Sequence, residues 1–184
     1  MTTTKEQLKQ VAREKLQRQG VRALTMRDLG EEVGIKSSSV MYHFKSKDGL
    51  LLELATDYTN NFIQFLSQVD QTVPNPTRRM GALLDMIESV SADGKFCLCG
   101  MLASDVHELD DATTQVIKGY FSRFETWVAA LLQDGGAAAY DKKGAESLAQ
   151  VVVSGIEGAM LMDRSEGTLS RVTAIRAWAM SLMR

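Results

Sequence analysis

Proline, cysteine and histidine are nearly absent from this sequence, with two of each in 184 residues. So few prolines, together with 45% apolar and 24% charged residues, describe an ordinary globular and helical chain rather than a disordered or fibrous one. The two cysteines, Cys97 and Cys99, lie too close together to staple a fold, and a disulfide framework would need more of them. They are expected to be reduced thiols of a cytosolic protein. No run approaches the roughly 18 consecutive apolar residues of a membrane span. The start, Met1-Thr-Thr-Thr-Lys-Glu, lacks the charged and then apolar regions of a signal peptide, so a cytoplasmic protein is expected. Nor do a nucleophile, a base and an orienting group stand together at a motif's spacing. No catalytic group, cofactor or metal is expected, and the chain does not read as an enzyme.

Positive charge also looks scarce at first, because the net charge is −2 and the pI is about 5.7. By segment the balance differs. Residues 1–47 hold ten Lys/Arg against five Asp/Glu, a net +5, so the remaining 137 residues carry −7. A basic module joined to an acidic body fits phosphate binding, although a solvated basic helix face would give the same count.

What the chain has in quantity is helical periodicity. Leu8, Val11, Ala12 and Leu16 recur at helix spacing, and Gly20 ends that run. Thr25 is an N-cap with Asp28 three residues on, and Met26, Leu29 and Val33 form a short apolar stripe closed by Gly34. After Ile35-Lys36 come Ser37, Ser38 and Ser39, any of which can cap a third short helix through Val40-Met41-Tyr42-His43-Phe44. Two short helices around a glycine turn spell helix-turn-helix. Ser46-Lys47-Asp48 opens a long linking helix that runs to Val69, and Pro74 and Pro76 break it. Further helices are expected near 77–92, 97–105, 111–133, 142–164 and 168–183, separated by Gly94, Asp110-Asp111, Gly135-Gly136 and Gly167. The predicted fold is all-α, with an N-terminal three-helix DNA-binding domain over residues 1–47 and a helical effector-binding and dimerisation domain over residues 48–184.

The stretch from Leu24 to Leu51 closely resembles the DNA-binding region of TetR family regulators (TetR/AcrR type), and the match extends over residues 8–54. Its most specific part is Tyr42-His43-Phe44-Lys45-Ser46-Lys47 followed by Asp48 and Leu50-Leu51. The sequence departs from the common pattern at Lys36, where Ser or Thr is frequent, and at Met41, where Tyr is frequent. A subset of the family is similar at Ile35-Lys-Ser-Ser-Ser-Val40 and at Cys97-Leu-Cys-Gly-Met-Leu102. The chemistry of the segment agrees. Lys36 and the three serines give a compact polar face for base edges. Tyr42 offers a hydroxyl to a phosphate, Lys47 neutralises one, and the free N–H groups of the next helix form an anion site. Thr25, Arg27, His43 and Lys45 complete the expected DNA-facing set, with Arg27 a backbone contact implied by the resemblance. Plainer readings stand beside these: the serines as caps, and His43 as a partly buried structural residue packed with Leu29, Val33, Ile35, Val40 and Phe44.

One helix-turn-helix offers few contacts, so a homodimer on a palindromic operator of double-stranded DNA is expected. The small and branched residues Val152, Gly155, Ile156 and Ala159, with Ile175 and Trp178, make the last two helices the candidate interface, as the resemblance also implies; an internal helix contact would look the same. The resemblance further implies a ligand-responsive repressor that releases its operator when an unknown small molecule binds the middle helices. Met86, Phe96, Met101, Tyr120, Phe124, Trp127 and Met160 are the candidate lining, unless they are plain core. Asp105, His107 and Arg123 are polar residues that would otherwise be surface. Cys97 and Cys99 could sense oxidants or electrophiles if the adjacent Lys95 lowers a thiol pKa, could join His107 on a metal, or could simply be buried.

Overall fold

The computed structural model describes residues 3–135 and 140–183, and among these every regular element is helical. They are α1 (Thr4–Gln19), α2 (Met26–Val33), α3 (Ser37–Phe44), α4 (Lys47–Thr72), α5 (Pro76–Ala92), α6 (Leu98–Ser104), α7 (Asp111–Gly135), α8 (Lys142–Glu166) and α9 (Ser170–Ser181), with single 3₁₀ turns at Val21–Ala23 and Val106–Glu108. Gly136, half of one expected helix break, lies outside the described residues.

Local chemistry accounts for the boundaries. The Thr25 hydroxyl accepts the Asp28 N–H at 3.1 Å and starts α2 as its spacing predicts. The Asn75 side-chain oxygen Oδ1 accepts the Arg78 N–H at 2.8 Å, with Pro76 in the first turn of α5, where a missing N–H costs nothing. The Ser46 hydroxyl accepts the Gly49 N–H at 3.0 Å at the start of α4. One expectation fails here. None of Ser37, Ser38 and Ser39 caps α3, because the residue before the helix is Lys36, which makes no side-chain cap, and the serines are the first three helical residues. Their hydroxyls stay on the exposed side.

The chain forms two compact units, Met1–Asn60 with Cys97–Lys118 and Asn61–Phe96 with Gly119–Arg184. Compactness thus groups the first half of α4 and the whole of α6 with the helix-turn-helix. The first unit buries Leu8, Ala12 and Leu16 of α1, Leu29, Val40 and Phe44 of α2–α3, Leu50, Leu51 and Leu54 of α4, and Leu98 and Leu102 of α6. Val33 and Ile35, expected in this core, are only half-buried. Lys5 bonds Glu53 at 2.8 Å and Lys9 bonds Asp57 at 2.9 Å, tying α1 to α4. Hydrogen bonds to Glu6 and Asp57 push the Lys9 ammonium above its ordinary pKa. Gly30 sets the tight α2–α3 turn, since a Cβ there would lie 2.8 Å from the Ile35 carbonyl oxygen.

In the second unit Phe62, Tyr120 and Phe124 pack in tilted and edge-to-face contacts, with ring centroids 4.9 Å (Phe62–Tyr120) and 5.0 Å (Phe62–Phe124) apart. Two carboxylates hold the α8–α9 hairpin, and exposed Glu166 pairs with the Arg171 guanidinium at 2.7 and 2.8 Å. Buried Asp163 accepts the backbone N–H groups of Arg171 and Val172 at 2.9 and 2.8 Å and the Thr168 hydroxyl at 3.0 Å. Burial pushes its carboxyl up, but these donors and the Arg171 guanidinium outweigh burial and hold it below the ordinary carboxylate range. Gly155 permits the close crossing of the two helices, because a Cβ there would overlap Ile175 Cδ1 at 2.6 Å.

Candidate functional site

α3 turns its two halves to different environments. Val40 and Phe44 are buried, while Lys36, Ser37, Ser38, Ser39, Met41 and Tyr42 are exposed. Tyr42 is 83% exposed, far beyond what a ring used for packing would leave in water. His43 is half-buried between its neighbours, its ring 5.6 Å from that of Tyr42 and 6.2 Å from that of Phe44. That position suits a support for Tyr42 better than a contact of its own. On α2, Arg27 is exposed and its Nε donates to Glu31 at 2.9 Å, an ion pair that DNA would have to displace. Thr25 is exposed, with its hydroxyl engaged as the cap.

The junction after α3 has a feature that the sequence does not announce. Lys45 has φ 63 and ψ −39, and the Ser46 N–H donates to the Phe44 carbonyl at 2.7 Å. This is a γ-turn centred on a residue with a Cβ, a conformation that costs of order 1–3 kcal/mol. It reverses the chain between two helices without a loop and leaves the Lys45 side chain exposed. Lys47 is placed differently. Half-buried, its Nζ donates to the Val21 carbonyl at 2.8 Å. The sequence reading missed that acceptor because Val21 lies 26 residues away.

Beyond the helix-turn-helix, the expected site residues fall into separate groups. Cys97 and Cys99 are buried thiols that form no disulfide. Cys97 stands just before α6, where its Sγ accepts the Gly100 N–H at 3.4 Å, and Cys99 Sγ lies 3.9 Å from Thr59 Oγ1. Lys95, the cation invoked to activate them, is paired with Asp93 at 2.6 Å. Among the described residues no group of three or more His, Cys, Asp or Glu is arranged to hold a metal ion. His107 and Arg123 are exposed. Of the candidate effector residues, Phe96, Met101, Tyr120, Phe124 and Met160 are buried, while Met86 and Trp127 are half-buried. Trp127 Nε1 donates to Asp70 at 3.0 Å. Of these candidates Met101 belongs to the first compact unit and the others to the second. A polar groove between α7 and α8, lined by Ser122, Glu125, Thr126, Lys142 and Glu146 among others, contains none of them.

The candidate interface divides in the same way. Val152 and Ile156 are fully buried within the subunit, so they pack α8 internally, whereas Ala159, with only a small exposed fraction, lies on the wall of the groove described next. Gly155 and Ile175 are half-buried and Trp178 is exposed; with Gly158, Met162 and Ala174 they line an open apolar groove along α8 and α9. Val151, Leu161 and Met162 add exposed apolar surface. These are the residues at which a periodicity argument should have looked, because exposure and not apolarity marks an unpartnered face.

Residues 9–54 match the family model described as bacterial regulatory proteins, tetR family, and residues 76–177 match that of the LmrA/YxaF-like transcriptional regulator C-terminal domain. The chain belongs to the TetR family. A TetR transcriptional regulator from Legionella pneumophila superposes with a TM-score of 0.92 at 26% identity, over 100% of this chain and 99% of that one. A TetR family regulator from Agrobacterium tumefaciens gives 0.90 at 24% identity, over 98% and 97% of the two chains. The HTH-type transcriptional repressor KstR2 of Mycolicibacterium smegmatis is 29% identical over 79 residues, or 43% of this chain, and the match spans only 38% of that relative's length. In TetR-family terms the first model ends eight residues into α4 and the second begins with α5. Among the described residues no helix is long and apolar enough to cross a membrane.

Proposed function

We propose that this TetR-family protein is a DNA-binding transcriptional repressor that acts as a homodimer on a palindromic operator and lets go when a small molecule binds its second unit. The observation that carries the DNA-binding reading is the face of α3. A short helix encloses Val40 and Phe44, yet leaves Lys36, three serines, Met41 and an 83% exposed tyrosine in water. Such a face has no packing role. Its donors and acceptors are short enough to approach base edges, and Tyr42 and Lys45 flank them as phosphate contacts. The +5 charge of residues 1–47 supplies the nonspecific attraction.

The rest of the reading has separate supports. The exposed apolar groove of α8 and α9 supports a two-fold contact between copies, with Trp178 as its anchor. Repression follows the name of the mycobacterial relative. For the effector, Met86 and Trp127 are the half-buried members of the candidate set and so the first that an entering apolar molecule would meet. Electrophoretic mobility shift on the DNA upstream of the protein's own gene tests the central reading. A specific complex at low salt is expected, and none at any salt concentration would sink it. Thermal-shift screening with apolar and aromatic compounds, followed by release of the bound DNA, tests the effector.

A further inference from the structure

We propose that Lys47 is a positioning residue, which locks the Gly20–Ala23 turn between α4 and α6, and that it does not neutralise a DNA phosphate. The inference rests on the DNA-binding reading above and changes the role of one residue in it. Lys47 begins α4, and the usual logic of a cation beside a helix N-terminus would aim it at an anion. Here its stem is half-buried and its Nζ ends on the carbonyl of Val21, a buried residue of the α1–α2 connection. To reach a phosphate, the ammonium would have to leave its part-buried setting and give up the shorter of the two bonds to that carbonyl, which would keep only the Leu24 N–H at 3.2 Å.

The same turn is gripped from its other side. Asp105 follows α6, and its Oδ2 accepts the Val21 N–H at 3.4 Å. Glu108, in the next turn, pairs with Arg22 at 3.4 Å. Gly20 opens the turn with φ 85, a conformation that favours glycine, and it packs beside Met101 and Asp105. Val21 therefore has its N–H held from α6 and its C=O held from α4. The turn it occupies feeds directly into the Thr25 cap of α2. Lys47 and Asp105 thus fix where α2 and α3 stand on the first unit. Phosphate binding at this end is left to the α4 amides and to the exposed Lys45 and Tyr42.

Salt dependence separates the two roles. Each phosphate neutralised contributes about 0.9 to the slope of log K against log salt on duplex DNA. With the full-length protein and a fluorescent upstream fragment, Lys47→Met should weaken binding about ten-fold with the slope unchanged, while Lys45→Gly should lower the slope by about 0.9. Asp105→Ala should weaken binding about three-fold, and the double variant Lys47→Met, Asp105→Ala should bind no worse than Lys47→Met alone. A slope reduced by about 0.9 in Lys47→Met, or additive losses in the double variant, would overturn the proposal. The clamp is also read without DNA. Each single variant should lower Tm by about 2–4 °C, and the double variant by clearly less than the sum. Additive Tm losses overturn the clamp even if DNA binding is intact, whereas wild type that binds no fragment while Tm losses are non-additive sinks the DNA reading and leaves the clamp standing.

Discussion

Two helical faces of this protein lie without a partner inside the subunit, and they differ in every chemical respect. The α3 face is made of Lys36, Ser37, Ser38, Ser39 and Tyr42, short or polar groups over a small enclosed core. The α8–α9 face is made of Val151, Leu161, Met162 and Trp178 around a groove whose floor is glycine and alanine. Water is a good partner for the first face and a poor one for the second. The first therefore suits the polar, charged ligand proposed for it, and the second suits another apolar face. Their supports differ too. α3 is presented by a γ-turn at Lys45 whose backbone is strained, whereas α9 is fixed by a buried carboxylate, Asp163, that satisfies the N–H groups of its first turn.

The comparison can be broken most severely at the apolar face. Met162→Glu should convert the dimer to monomer in sedimentation equilibrium and weaken operator binding by about 100-fold or more, since a charge would be desolvated at the contact. A dimer of wild-type affinity would show that copies meet elsewhere. Next in size is the latch behind that face. Asp163→Asn replaces one acceptor by a donor aimed at N–H groups, and calorimetry should record a Tm lower by about 5–10 °C. The same carboxyl sets a pH test. Because its pKa is lower folded than unfolded, its contribution is complete above the ordinary carboxylate value of about 4 and drains away as pH falls below it. The gap in Tm between wild type and Asp163→Asn should therefore narrow below about pH 4, and a gap that widens there would contradict the assignment.

Smaller effects sharpen the polar face. Lys45→Gly relieves the γ-turn and should raise stability by about 1 kcal/mol in urea unfolding, at the cost of one phosphate contact. Strain and function would then be seen to trade at a single residue. Loss of stability instead would mean that the side chain holds the junction. The smallest change, Tyr42→Phe, removes one hydroxyl and should weaken binding about three- to ten-fold, uniformly across operator sequences, because a phosphate contact carries no base information. A shift in sequence preference would move Tyr42 to the base edges.

Sequence alone was enough for the helices, because their information is local. Gly20, Gly34 and the Pro74–Pro76 stretch place breaks within a few residues of where α1, α2 and α4 end, and Thr25 and Ser46 cap as their spacing predicts. The exposed polar half of α3 was legible for the same reason, since helical period separates Val40 and Phe44 from the serines and Tyr42. The motif from Tyr42 to Asp48 also carried the family. What tertiary structure decided was which groups are spent on the protein itself. Val152 and Ile156 looked like an interface and proved to be core; the serines looked like caps and proved to be free. Lys47 looked like a phosphate contact and is held by Val21, while Asp163, indistinguishable in sequence from a surface acid, is buried and bonded. Apolarity and charge are properties of a residue, but burial and pairing belong to its neighbours, and those neighbours lie up to dozens of positions away along the chain.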